Sequence, residues 1–262
     1  MPKLAANLSY LFTEMPLIER FGAAASVGFR GVEILNPYEL EPGAIAAELR
    51  KHGLTQVLLN TPAGDAAKGE RGLAALPGRE TDFMASFERA LAYGRATQCK
   101  RLHVLAGVPP KDRPRTEAEE TYVANLRRAA DGVANDGITL QLEPLNTRDA
   151  PGYFINTTGD TLRLIERIDR PNVALQFDLY HCQIMEGDLA AHVHALKGRF
   201  THVQIAGVPG RHEPDVGEIN YPYLLGLLDE TGYQGWVSAE YRPRNGTLAG
   251  LGWARPWGIT TK

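Results

Sequence analysis

Cysteine is nearly absent from this chain of 262 residues: Cys99 and Cys182 are the only two, and they stand in no CxxC spacing. That excludes a disulfide framework, a cysteine-rich zinc site and a CxxC redox centre, and two free thiols are expected. Long apolar runs are missing as well, since none approaches the roughly 20 residues needed to cross a bilayer. The opening MPKLAANLSYLF lacks a long apolar stretch ending at a small-residue cleavage site, so a cytoplasmic protein with no membrane partner is expected. Neither sign of charge dominates: 28 Lys+Arg face 31 Asp+Glu, a net charge of −3. Without a basic stretch there is no electrostatic footprint for nucleic acid, and a small-molecule partner is expected instead. With 44% hydrophobic and 23% charged residues the chain has the balance of a folded globular protein, which sets disorder aside.

What is present is an alternation. Short apolar runs that read as strands cover Leu4 to Leu8, Gly31 to Leu35, Thr55 to Asn60, Arg101 to Leu105, Thr139 to Glu143, Val173 to Asp178, Phe200 to Gln204 and Trp236 to Glu240. Between them lie amphipathic stretches such as PGAIAAELRKHG, GRETDFMASFERALAYGRATQ and GDTLRLIERI, several of which stop at Gly. Strand and helix repeating in single file predict one (β/α)8 barrel over residues 1–262, because each strand needs a crossover to reach a parallel neighbour. The competing doubly wound sheet lacks its usual ligand device, for no GxGxxG or GxxxxGK[ST] follows the first strand. In a barrel the loops after the strands gather at one face. Three of these are long, Thr61 to Gly78, Pro144 to Thr158 and Ala206 to Asn220, and they are the expected walls of a site.

Period two along the last four strands puts Gln141 with Glu143, Gln176 with Asp178, His202 with Gln204, and Ser238 with Glu240 on one face. A strand covered by helices ought to be apolar on both faces, so inward polar pairs are costly unless something pairs them. Glu143, Asp178, Gln204 and Glu240 each end their strand. Four oxygen donors converging from adjacent strands are expected to hold a hard divalent cation, Mg2+ or Mn2+.

Several segments carry a further signal: AANLSYLF, GFRGVEI, NTPAGD with GERG and PGRE, QLEPLN with PGYF, QFDLYHCQIMEGD, HVQIAG, RHEPDVGEINY and GYQGWVSAEYRPR with GLGW. Over nearly the whole chain these resemble the hydroxypyruvate isomerase family, itself similar to the wider group of sugar isomerases and epimerases on a xylose-isomerase-like barrel. The resemblance implies conversion of hydroxypyruvate to 2-hydroxy-3-oxopropanoate, with two glutamates as proton donor and acceptor. Glu143 of QLEPLN and Glu240 of SAEY match them. Its close relatives, the 2-oxo-tetronate isomerases, share most of these motifs; Pro144, Asn146 and PGYF resemble the hydroxypyruvate branch, whereas RHEPD with His212 also resembles the tetronate branch. A related sugar epimerase of the same barrel group is the other alternative.

The chemistry makes the same demand, since moving a carbonyl to the adjacent hydroxylated carbon needs a base, an acid and stabilisation of an enediolate. His181, in the DLYH run, and His212 are expected to contact substrate. Glu186 reads either as a residue that orients His181 or as a solvated carboxylate. For the carboxylate of a small hydroxylated 2-oxo acid, Arg71, Arg79, Arg211 and Arg242 are candidates, of which at most two bind it, with Arg71 and Arg211 put first. His192 and His194 lie two apart in a helical run, roughly 200° apart around the axis, and are expected as a solvated or half-buried pair, not as metal ligands. His103 reads either as a barrel lining or as a core histidine. Glu33 of GVEI reads either as a ligand-side residue or as a buried partner of Arg or Lys. A homo-oligomer is left open.

Overall fold

The computed structural model describes residues 2–260. Eight parallel strands close into a barrel in sequence order, with β1 paired to both β2 and β8. They are β1 (Lys3–Asn7), β2 (Gly31–Ile34), β3 (Thr55–Asn60), β4 (Arg101–His103), β5 (Thr139–Leu142), β6 (Val173–Asp178), β7 (Phe200–Ile205) and β8 (Trp236–Ala239). The helices around them are α1 (Leu17–Ser26), α2 (Pro42–His52), α3 (Glu80–Thr97), α4 (Arg115–Gly132), α5 (Thr158–Ile168), α6 (Leu179–Met185), α7 (Leu189–Ala195), α8 (Tyr221–Glu230) and the short α9 (Thr247–Gly250). Both thiols are free and buried. No helix among the described residues is long and apolar enough to cross a membrane.

Every strand lies where alternation placed it, with small differences at the ends. Leu105, Glu143 and Glu240 fall just beyond their strands, where the chain leaves the ladder for a loop. Helix α6 has no counterpart among the amphipathic stretches of the sequence. Its seven residues, LYHCQIM, are too few to display a helical period. What starts it is a cap: Asp178 Oδ1 accepts from the Tyr180 backbone N–H at 2.7 Å. A 3₁₀ stretch over Leu251–Trp257 also went unread.

Two apolar regions make the fold. The larger one lies between sheet and helices and takes in Phe21, Phe83, Phe87, Tyr122, Phe177 and Leu225. The smaller one, Ala5, Val57 and Leu58 with Leu35 and Trp236 against it, lies inside the barrel. Gly31 is required here: a Cβ on it would fall 2.6 Å from the Trp236 ring. Above this apolar plug the barrel interior is polar. Gln141, Gln176, His202, Gln204 and Ser238, on the inward face that period two assigned to the last four strands, are fully buried, and Asn7 of β1 and Glu33 of β2 join them.

The long loop after β3 is pinned to the loop after β4. Gly72 and Ala106 form an isolated bridge, and a Cβ on Gly72 would come 2.3 Å from the Leu105 carbonyl oxygen. At φ 124° the position is also one that side chains rarely adopt. Gly72→Ala is therefore expected to cost more than the about 1–3 kcal/mol of an adverse backbone region alone. Gly43→Ala, in α2 with no atom within 4 Å of the new Cβ, should instead be neutral or stabilising by up to about 1 kcal/mol. Denaturant unfolding of both variants measures the contrast; equal stabilities would refute the pinned loop.

Candidate active site

At the C-terminal mouth the fold buries four carboxyls: Glu33, Glu143, Asp178 and Glu240. Asp178 ends β6 and caps α6 with one oxygen, and its Oδ2 has no hydrogen-bond partner. Asp178, Glu143 and His181 bring one ligand atom each within 4.8 Å of one another. Glu143 faces imidazoles, with His103 Nδ1 3.2 Å and His181 Nε2 4.0 Å away. His103 carries no aligned hydrogen bond on either nitrogen, and burial pushes it down to about 3, so it is a neutral lining residue of the barrel.

Glu240 sits in different company. Arg211 donates to its Oε1, while Asn7 Nδ2 (3.1 Å) and Gln204 Nε2 donate to its Oε2. Gln204 also donates to Glu33 Oε1 at 2.6 Å and accepts from Gln176 Nε2 at 2.6 Å. The four expected metal donors thus share one mouth, but they divide into two groups. Glu143 and Asp178 stand with His181, and Gln204 and Glu240 are joined to Arg211, Asn7 and Glu33. Glu33 meets neither Arg nor Lys; its partners are the neutral donors Asn7 (2.6 Å), His202 (2.6 Å) and Gln204.

Arg211 is the buried cation of the site. Its guanidinium lies between the rings of Tyr10 and Tyr180, at 5.1 and 4.8 Å, and reaches Asp178 Oδ2 at 3.5 Å and Asp149 Oδ2 at 3.7 Å. Burial works against its charge, but Glu240, Tyr10, Asp178 and Glu143 outweigh that and hold its pKa up. Its backbone at φ 54° is left-handed, a costly conformation for a long side chain that these contacts maintain. Next to it His212 Nδ1 donates to the Arg242 carbonyl at 2.9 Å, which ties the loop after β7 to the loop after β8.

His181 has a defined tautomer. The Asn146 backbone N–H can only donate, and it points at His181 Nδ1 at 3.0 Å, so Nδ1 is the acceptor and Nε2 carries the proton. Burial, then Arg211 and His103, push its pKa well down and keep it neutral. Its Nε2–H is aimed into the mouth, 3.5 Å from Asp178 Oδ2.

The other sequence candidates are peripheral. Arg79 pairs with Glu70 (2.7 Å) and Asp82 (2.5 Å) at the start of α3. Arg242 lies 6.0 Å from the Tyr10 ring. Arg71 is exposed and makes no hydrogen bond or ion pair with the described residues; its charge is felt by the Tyr153 phenol, which also feels Glu143. Glu186 does not orient His181: it accepts from Thr158 N (2.8 Å) and Thr158 Oγ1 (3.0 Å) and so caps α5. His192 and His194 are half-buried and exposed on α7. Asn7, Asn146, Asp149 and Tyr180 were not anticipated. Asn7 was within reach of the same period-two argument, since Ala5 and Asn7 share a face of β1.

Burial, with mutual repulsion, raises Glu143 well above the usual carboxylate range, and burial raises Asp178 and Glu240 against the pull of Arg211. Glu33 is pushed up to about 7 by burial, although Gln204 and Asn7 pull it back. Buried carboxyls in such excess over cations, one of them with an orphaned oxygen, fit a divalent cation by number and by donor type.

With this geometry the class is defined. The sequence profile of the xylose isomerase-like TIM barrel family matches residues 21–257, and the chain belongs to that family. Within it the chain is similar to the 2-oxo-tetronate isomerase of Cupriavidus necator, 51% identical over 98% of this chain and 99% of the relative. It is similar also to the hydroxypyruvate isomerase of Escherichia coli, 40% identical over 98% of this chain and 100% of the relative. A crystal structure from Brucella melitensis described as an AP endonuclease, family 2, superposes with a TM-score of 0.96 at 52% identity, covering 98% of this chain and 99% of that one. The branch is that of aldose–ketose isomerases named for hydroxypyruvate and 2-oxo-tetronate.

These carboxyls make stability depend on pH. A group with a higher pKa folded than unfolded keeps its proton longer in the native state, so its contribution is full below the unfolded value and is lost as pH rises to the folded one. For Glu33 that window runs from about 4 to about 7. In EDTA-treated protein the melting temperature should therefore fall as pH rises across this window, and Glu33→Gln should flatten the fall. A melting temperature that rises instead would contradict the buried-acid description.

Proposed function

We propose that the protein moves the carbonyl of a 2-oxo-3-hydroxy acid from C2 to C3 through an enediolate, with 2-oxo-tetronate ahead of hydroxypyruvate as substrate. The two acids differ only in whether C3 bears a hydroxymethyl group or a hydrogen, so one site geometry serves both reactions. The higher identity of the relative named for 2-oxo-tetronate favours that acid. The QLEPLN and PGYF segments favour hydroxypyruvate as the second reading. The observation that carries the proposal is a pair of buried glutamates, Glu143 after β5 and Glu240 after β8, held in unlike surroundings at one mouth.

Unlike surroundings give unlike roles. Glu240, in contact with the Arg211 guanidinium, is the better candidate for the ionised base that takes the C3 proton. Glu143, raised by burial and by Glu240 and without a guanidinium partner, is the acid that returns a proton to C2, while the proton of the C3 hydroxyl passes to the C2 oxygen as the carbonyl moves. The His181 Nε2–H donates to a substrate oxygen, and the unpaired Arg71 receives the substrate carboxylate at the rim. His212 fixes the loop that carries Arg211. Glu143, Asp178, Gln204 and Glu240 are the residues that would hold Mg2+ or Mn2+, and when bound the ion supplies a Lewis acid for the negative charge of the enediolate. DNA, the substrate class suggested by the name of the Brucella protein, is disfavoured by the net charge of −3 and the lack of a basic stretch.

A coupled assay with both acids in Mg2+ or Mn2+ tests the reading, and turnover of neither would sink it. Glu143→Gln and Glu240→Gln should each lower kcat by about 100-fold to 10,000-fold. In D2O, Glu143→Gln should still exchange the C3 hydrogen of the substrate while Glu240→Gln does not; the opposite pattern would interchange the two roles. Arg71→Met should raise KM by about tenfold or more with kcat nearly unchanged, since a charge-assisted contact to the carboxylate is lost.

A further inference from the structure

Gln176 lies one residue pair below the carboxylates, fully buried, and touches no residue assigned to the chemistry except Gln204. Its Nε2 donates to Gln204 Oε1 at 2.6 Å, while its own Oε1 has no partner. Gln204 consequently turns its nitrogen, not its oxygen, to the acids: Nε2 donates to Glu33 and to Glu240. That orientation suits carboxyls without a cation, because an amide oxygen in the same place would face two acceptors. It is the wrong orientation for a metal ligand, since an NH2 group has no lone pair to give.

Turning the Gln204 amide over aims its oxygen at the acids and leaves its nitrogen facing the Gln176 nitrogen, donor against donor. Gln176 has to turn with it. The geometry points to a two-glutamine switch, in which Gln176 and Gln204 reverse their amides together when a divalent cation enters the mouth, and Gln176 is the positioning residue that sets which end of Gln204 the cation meets. The inference rests on the reading above that this mouth takes a divalent cation.

The hydrogen bonds around the two amides permit the change. Because Gln176 Oε1 is unpaired, the reversed pair keeps one hydrogen bond between the two amides and merely leaves a nitrogen where an oxygen was left before. Glu33 gives up one donor of three and retains Asn7 and His202, both at 2.6 Å. Glu240 gives up Gln204 and retains Arg211 and Asn7. What opposes reversal without a cation is the approach of the amide oxygen to Glu33 and Glu240, and a divalent charge among them removes that opposition. The cation-free orientation thus competes with cation binding, and the residue that stabilises it lies outside the coordinating set.

Two measurements test this on the intact chain. In the first, Mg2+ is titrated into 15N-labelled protein and the side-chain NH2 resonances of Gln176 and Gln204 are followed, each assigned through bonds from its own backbone. Both are expected to move with one common midpoint. Movement of Gln204 alone would overturn the coupling and leave the proposed function standing. Mn2+ binding with neither resonance altered on Mg2+ addition would also overturn it, and no binding of either ion would overturn the cation reading and the switch together. In the second, Gln176→Met replaces the amide by a side chain of similar size that has a weak acceptor and no donor. Gln204 Oε1 then loses its donor in the cation-free orientation while its nitrogen still finds an acceptor after reversal, so Mn2+ should bind about fivefold or more tightly, read by the loss of the free-ion paramagnetic resonance signal. Unchanged or weaker binding in folded Gln176→Met would refute the switch; should that variant fail to fold, the titration of the native chain decides.

Discussion

Like charge in a dry cavity is the constraint around which this barrel is organised. Glu33, Glu143, Asp178 and Glu240 converge at one end of the strands, and Arg211 is the buried side chain that brings a positive charge to them. Four acids cannot all ionise there against one guanidinium, because each charge in a low-dielectric interior raises the pKa of the others. The excess must be met by protons, by neutral donors or by a metal ion. Asn7, Gln204 and His202 supply neutral donors to Glu33 and Glu240, while Glu143 faces imidazoles and Asp178 Oδ2, 3.5 Å from Arg211, has no aligned hydrogen bond. The part of the mouth that the protein's own donors leave incomplete is thus the part around Glu143 and Asp178.

The same constraint explains the neighbourhood of Arg211. A single cation that balances several acids has to be held in place, and here it is clamped between two tyrosine rings on a left-handed backbone, beside a histidine tied to the next loop. Desolvation would favour loss of its charge, and the surrounding acids restore it. Because Arg211 lies against Glu240 and not against Glu143, two chemically identical glutamates stand in different electrostatic surroundings. Below them, the barrel interior departs from the usual filling of branched aliphatic side chains. A small apolar plug around Trp236 closes the bottom, and a polar layer of Gln141, Gln176, His202 and Ser238 supports the mouth.

Much of this was open to reading in the sequence because it depends on local periods. Alternation of side chains along a strand is set by the pleat, so Glu143, Asp178, Gln204 and Glu240 could be assigned to the interior without coordinates, and closure of the barrel followed from the single-file order of strands and crossovers. The segments around QLEPLN, DLYH and SAEY added the chemistry. Asn7 obeys the same parity and could have been found. Helix α6 could not, since seven residues with one cap show no period, and neither could the pairing of Glu186 with Thr158, which joins residues 28 apart.

By itself, then, the sequence determined the strand order and the inward face on which Glu143 and Glu240 end their strands, both of them consequences of backbone geometry acting over a few residues. Tertiary structure alone decided which acid lies against Arg211, which nitrogen of His181 bears its proton, and which end of the Gln204 amide meets Glu240. Those are matters of orientation to within an ångström between groups brought together from β1, β2, β5, β6, β7, β8 and the loops beyond them, and no local period encodes the direction in which a buried amide or imidazole points.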